Sequence, residues 1–179
     1  MKLIRTIRLD PSDTFVFERA AEPGEWAVPG AFVFWNADAE KLDGKARSAF
    51  RSGFLGVESL GWSTLVQIVE ATGVDRAALV ERLAQQLVDH FGAPDIAAAR
   101  AAAEDEVAFA ESLCNHPADT LIAMHRSYEG GAVHEAFRTL HPRGDRKSMR
   151  AFSFLEVEDE EEPADEVDLI ALAESKKTT

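Results

Sequence analysis

One segment of the chain, residues 111–126, brings its only cysteine close to two histidines. Cys114 precedes His116 by two residues and His125 by eleven. A cysteine acts as a nucleophile when a neighbouring base or cation lowers the pKa of its thiol. Cys114 comes at the C-terminal end of a predicted helix, however, where the partial negative charge of the helix disfavours a thiolate. The spacing therefore predicts a packed, unreactive cysteine and no catalytic residue.

The same three residues do not match the spacing of a metal site. Zinc ribbons and fingers use paired ligands, and zinc proteases use a His-Glu-x-x-His motif. A cysteine two residues before a single histidine follows neither pattern. We therefore expect neither a metal nor another cofactor.

A sharper candidate site arises if residues 120–140 form a β-hairpin. The adjacent glycines at 130–131 favour a two-residue turn between the strands. The resulting register places Arg126 opposite Glu135, a chemically compatible cross-strand pair. Residues 132–140 also fit a short helix, so the hairpin is favoured but the helix stays an open alternative.

In the hairpin register, His125, His134 and Arg138 share one face of the two strands. Two histidines and an arginine are suited to binding an anion or a metal, whereas the simpler interpretation is a solvated polar face. The candidate ligand-binding residues of the whole chain are His125, His134, Arg138, Cys114 and His116.

The helices around this hairpin are the clearest elements of the sequence. Asp75 can cap a helix that runs to about Phe91, and Asp95 can cap a second one to about Leu113. Because the apolar stripe of the second helix is rich in alanine, the two helices can approach closely as an antiparallel pair. Residues 38–51 have the spacing of a shorter third helix.

Strands are predicted where small groups of apolar residues alternate with polar ones or run together. Residues 31–35, Ala-Phe-Val-Phe-Trp, are apolar on both faces and predict a central buried strand. The three tryptophans of the chain are expected in the core. The predicted strands outside the hairpin are 3–9, 14–19, 31–35, two within 54–71, and 149–157.

These elements predict an α+β fold. A mostly antiparallel β-sheet of six to eight strands is expected, covered on one face by the antiparallel helix pair and accompanied by one short helix. The length and the apolar content of the chain indicate a single domain over residues 1–157.

The net charge of the chain limits the kinds of partner that it is expected to bind. The net charge is -13, and ten acidic residues against two lysines lie between Glu156 and Thr179. Residues 158–179 are therefore predicted to be an acidic, mobile tail with a short helix at 167–173. An acidic chain repels phosphate backbones, so nucleic acid is not expected as a partner. Without a signal peptide or a long apolar run, we expect a cytoplasmic location and no membrane contact.

Three longer stretches of the sequence resemble a family of small bacterial proteins with no assigned function. They are "IRLDPSDTFVFERAAEPGEWAVPGAFVFW", "SGFLGVESLGWSTLVQIVEA" and "EAFRTLHPRG". The resemblance spans most of residues 1–157. It implies a bacterial, cytoplasmic origin and carries over no catalytic residue.

Two functions remain open on the sequence alone. The first is a non-catalytic interaction or accessory protein, indicated by the acidic tail and by the lack of a catalytic motif. The second is a small-molecule-binding protein or enzyme with a pocket between the sheet and the helix pair. The partner is accordingly a protein, a second copy of the chain through an uncovered sheet face, or a small molecule.

Overall fold

In the part of the chain that the structure describes, four α-helices and eight β-strands confirm the α+β class. The computed structural model describes residues 1–141 and 156–158. Two short 3-10 helices, Ala31–Phe34 and Ala39–Lys41, precede α2. The α-helices are α1 (Asp13–Val16), α2 (Gly44–Ser52), α3 (Gly73–His90) and α4 (Ile96–Ser112).

The strands form two separate sheets, both antiparallel. The larger sheet has the order β1-β5-β6-β7-β8, and the smaller has the order β2-β3-β4. The sequence predicted one sheet, because very short strands leave little periodic signal. The strands are β1 (Lys2–Ile7), β2 (Ala27–Val28), β3 (Phe54–Gly56), β4 (Trp62–Ser63), β5 (Leu65–Glu70), β6 (Leu121–Glu129), β7 (Ala132–His141) and β8 (Glu156–Glu158).

The predicted helix pair is present as α3 and α4, which pack against each other. Thr72 and Asp75 form a capping box at the start of α3, and Asp95 caps α4 through the backbone amide of Ala98. Each cap satisfies amide groups that the first helical turn leaves without a partner. The inner face of α4 is small and fully buried, with Ala103 at 0% exposure. It contacts β1 and β2, so the pair covers the core side of both sheets.

The predicted hairpin is confirmed residue by residue. Arg126 pairs with Glu135, and the alternative helix over 132–140 is wrong because β7 runs through that segment. Gly130 and Gly131 both have positive φ, 60° and 83°. Two successive positive φ angles define the type I′ turn, which glycine adopts without steric cost.

The predicted central strand at 31–35 is wrong. Gly30 turns the chain in a left-handed conformation, and Ala31–Phe34 form a 3-10 helix instead. Phe34 packs against the core while Trp35 is 80% exposed, so the expectation that all three tryptophans are buried also fails. A run that is apolar at every position has no period to distinguish a strand from a tight helical turn.

Other predicted elements shift in type or in extent. The predicted strand 14–19 is wrong, since α1 covers residues 13–16. The predicted helix over 38–51 is confirmed by α2 from residue 44 onward, and its first residues form the 3-10 turn at 39–41 instead. The end of the predicted last strand is confirmed by β8, which pairs with β7. The remainder of that strand and the predicted tail, apart from residue 158, lie outside the described residues.

Candidate functional site

The hairpin places three of the predicted site residues on one face. Ser127 lies directly opposite His134, and His125 lies opposite Ala136 in the β6–β7 register. Because side chains alternate along a strand, His125, His134 and Arg138 point to the same side of the sheet. Both histidines are exposed to solvent. The structure therefore brings these three residues to one surface.

A groove of about 260 Å³ lies beside this surface, between α2 and β6. α2 contributes Arg47, Phe50 and Arg51 to its walls, and β6 contributes the stretch from His125 to Tyr128. Ala39 and Glu40 close one side. Of the five residues predicted as ligand-binding, only His125 lines this groove. The two arginines of α2 were not predicted, because the sequence does not show which helix meets the hairpin.

Beneath the groove, the guanidinium of Arg126 joins three parts of the fold. The side chain is 0% exposed. Its Nε donates a hydrogen bond to Oε1 of Glu135 at 2.8 Å. Its terminal amino groups donate to the carbonyl oxygens of Phe50 at 2.7 Å and Pro29 at 2.8 Å. Arg126 thus ties the hairpin to the end of α2 and to the turn before the first 3-10 helix. The sequence predicted its pairing with Glu135 but not its burial.

A second carboxylate, Glu106 of α4, belongs to the same buried polar cluster. It accepts a hydrogen bond from the backbone amide of Gly30 at 2.7 Å. Burial raises the pKa of Glu106 above its ordinary value, and the negative charge of Glu135 raises it further. The Gly30 amide and the charge of Arg126 act in the opposite direction. This arrangement holds α4 against the Gly30 turn.

Cys114 lies apart from the groove, just beyond the end of α4. It is 4% exposed and belongs to the hydrophobic core. Its Sγ donates to the carbonyl oxygen of Ala110 at 3.5 Å. Burial raises the pKa of the thiol to about 11, while the nearby charge of Lys2 lowers it. A thiol with so high a pKa is a poor nucleophile at neutral pH.

This burial predicts slow chemical modification of Cys114. At pH 8 we expect iodoacetamide to label the native protein about 100-fold more slowly than the denatured protein. A rise of the thiol pKa from 9.0 to about 11 lowers the reactive thiolate by that factor. Mass spectrometry of timed samples measures both rates, and the denatured chain serves as the control. Equal rates in the two states would contradict the burial of Cys114.

His116 also lies away from the hairpin face. Its backbone carbonyl accepts a hydrogen bond from Nζ of Lys2. Its ring lies 6.5 Å, between centroids, from that of His141. The structure therefore separates the predicted residues into a surface group of three and two residues near the end of α4.

A second cavity, of about 200 Å³, lies between α3 and the Trp26 end of the small sheet. Trp26, Val57 and Leu79 form its apolar part, and the Arg82–Glu58 ion pair stands at its side. It contains none of the predicted ligand-binding residues.

Among residues 1–141 and 156–158, no three histidine, cysteine or acidic side chains are grouped so as to hold a metal ion. Within those same ranges, no helix has the length and apolarity needed to cross a membrane.

Comparison with known proteins identifies the chain by family. No curated protein and no solved structure matches it. The model of a family of unknown function, DUF6505, matches residues 1–157. This match spans both sheets, the helix pair and the groove, as the resemblance of the three sequence stretches implied. The chain therefore belongs to the DUF6505 family of unknown function.

Proposed function

We propose that the protein is a non-catalytic accessory protein of the bacterial cytoplasm that binds a partner protein. The observation that supports this proposal best is Trp35, a large aromatic side chain that is 80% exposed. Tryptophan is among the residues that contribute most to binding energy at protein interfaces. Its exposure in the free chain is consistent with a contact that a partner completes.

Aromatic contacts hold the segment before Trp35 in place. The preceding Phe32 packs edge-to-face on Phe91, with ring centroids 5.3 Å apart. Phe34 packs edge-to-face on Phe50 at 5.3 Å and stacks on Trp62 at 5.2 Å. These contacts fix the 3-10 helix that precedes Trp35. Because the backbone before Trp35 is already ordered, binding of a partner at Trp35 costs little conformational entropy in this chain.

Phe15 is a second aromatic residue with a largely exposed side chain. Phe15 of α1 is 73% exposed. α1 contacts α2, the helix that follows the Trp35 segment in the chain and forms one wall of the groove. Exposed aromatic side chains are typical of protein-binding surfaces.

Replacing Trp35 by alanine is expected to weaken binding of the partner about 30-fold, because truncation of a central interface tryptophan costs about 2 kcal/mol or more. The measurement is affinity capture from a lysate of the source organism, quantified by mass spectrometry for the wild-type and variant chains. Since Trp35 is exposed, thermal unfolding of Trp35→Ala should match that of the wild type.

Val74 offers a matched control for this experiment. It is 79% exposed, like Trp35, but lies at the start of α3. Proteins that the wild-type chain captures should be retained by Val74→Ala and lost by Trp35→Ala. If both variants retain the same set of proteins, Trp35 does not bind a partner and the proposal loses its main support.

The alternative, a small-molecule-binding protein or enzyme with a pocket between the sheet and the helix pair, has less support. The larger groove lies at α2, away from α3 and α4, and Cys114 is buried outside it. The cavity between α3 and the small sheet contains none of the predicted ligand-binding residues. A homodimer through an uncovered sheet face stays a prediction.

A further inference from the structure

We propose that the groove between α2 and β6 is a binding site for a small organic or inorganic oxyanion, a molecule bearing carboxylate or phosphate groups. Arg47 and Arg51 lie one turn apart on α2 and form one wall. His125 and Ser127 of β6 also line the groove. Guanidinium, imidazole and hydroxyl groups are the donors that recognise carboxylate and phosphate oxygens. This site is separate from the Trp35 contact and does not depend on it.

The groove is lined by more basic than acidic side chains, although the chain as a whole is acidic. The whole chain has a net charge of -13, yet α2 has three basic residues, Lys45, Arg47 and Arg51, and no acidic one. Glu40 is the single exposed carboxylate among the residues that line the groove. Two arginines against one glutamate leave a local positive potential, which concentrates anions at the groove.

Among the described residues, Arg47 and Arg51 have no carboxylate partner, whereas Arg126 at the base of the groove is paired with Glu135. Within residues 1–141, no acidic side chain lies within ion-pair distance of Arg47 or Arg51. The Nε of Arg47 donates to the carbonyl oxygen of Leu42 at 2.9 Å, which orients the guanidinium and leaves its terminal amino groups for a ligand. Among the described residues outside the groove, Arg76, Arg82 and Arg100 pair with carboxylates.

The two walls of the groove are held at a fixed separation. Arg126, on β6, donates to the backbone carbonyl of Phe50, on α2, at 2.7 Å. Both residues also line the groove, at its base. Because this buried contact joins the walls directly, the backbones that carry the donors on α2 and β6 are positioned before a ligand arrives. Such preorganisation lowers the entropic cost of binding.

The size of the groove favours a small ligand. Its volume of about 260 Å³ is below the roughly 300–1,000 Å³ that is typical of sites for drug-sized molecules. A dicarboxylate or a phosphate ester of a few carbon atoms fits such a volume. An acidic side chain of a partner protein offers the same oxygens, and the experiment distinguishes the two sources.

Isothermal titration calorimetry of the full chain at low salt tests the site with four probes: succinate, inorganic phosphate, neutral succinamide and an acetylated triglutamate peptide. We expect succinate or phosphate to bind and succinamide not to bind. The double variant Arg47→Gln/Arg51→Gln should weaken binding at least tenfold, since it removes both charged donors of α2. Both arginines are exposed, so the variant should fold normally, which its thermal unfolding checks.

The matched control is Lys41→Gln/Lys45→Gln, which removes two positive charges close by in the chain but outside the groove lining. It should change the affinity by less than twofold. Equal weakening by both double variants would indicate general charge attraction and overturn the proposal. Binding of the peptide alone would assign the groove to a partner's acidic side chains and overturn the small-molecule site. Absence of binding of all four probes to the wild-type chain would also overturn the proposal.

Discussion

Replacing Arg126 by methionine is expected to lower the free energy of unfolding by about 3–5 kcal/mol, the usual cost of removing one partner of a buried ion pair. The guanidinium is 0% exposed, and the side chain of Glu135 is only 13% exposed. Without Arg126, the carboxylate of Glu135 stays buried with no cation, and two backbone carbonyls lose their donor. Methionine fills a similar volume, so most of this loss is electrostatic.

Chemical denaturation at pH 7 measures this effect, and Arg100→Met provides the matched control. Arg100 donates two hydrogen bonds to Glu81, but the two side chains are 47% and 54% exposed. Exposed ion pairs contribute about 0–1 kcal/mol because water screens them. Equal losses for Arg126→Met and Arg100→Met would contradict the role of burial at Arg126.

A double variant separates the ion pair from the packing around it. In Arg126→Met/Glu135→Leu both charges of the pair are removed, so no carboxylate of that pair is buried alone. Replacing both members of a buried pair by apolar residues is often neutral. We therefore expect the double variant to be more stable than Arg126→Met, although the carbonyls of Pro29 and Phe50 still lack their donor. If the double variant is the less stable of the two, the pair is not the main contribution of Arg126.

The hairpin was predictable from sequence because local and cross-strand signals agree there. The Gly-Gly turn at 130–131 fixes the register, and the register brings Arg126 opposite Glu135. The helix pair was predictable for a similar reason, since Asp75 and Asp95 lie at the start of each apolar stripe. The N-cap of α3 is Thr72, however, and the predicted cap Asp75 lies in the first turn of the helix. Agreement between independent local signals marks the elements that sequence predicts well.

The groove could not be predicted in the same way. Its walls come from residues 39–51 and from the strand that begins at Leu121, about 70 residues later. Nothing in the local pattern of α2 shows that it packs beside β6. The burial of Arg126 was equally hidden, because its acceptors at Pro29 and Phe50 are backbone atoms distant in sequence. Contacts of this kind depend on how elements dock, and single-sequence periodicity does not report docking.

Replacing Gly61 by alanine is expected to destabilise the fold by roughly 3 kcal/mol, the upper part of the usual range for overpacking a core. A Cβ atom at this position would lie 2.5 Å from the backbone carbon and oxygen of Ala20 and 2.6 Å from the backbone nitrogen of Ala21. These are backbone atoms that cannot rotate away. They are also held in place, since the amide of Ala21 donates to the carbonyl oxygen of Trp62 at 2.8 Å.

The control for this variant is Gly73→Ala. Gly73 opens α3, and a Cβ atom there would contact nothing within 4 Å. Because alanine restricts the unfolded chain more than glycine does, this change should stabilise the fold by about 0.4–1 kcal/mol. Denaturation of the two variants should therefore move the midpoint in opposite directions. A stable Gly61→Ala would show that the 20–21 segment does not pack on Gly61. Since Trp62 stacks on Phe34, the residue before Trp35, a shift at Gly61 should also reduce partner capture.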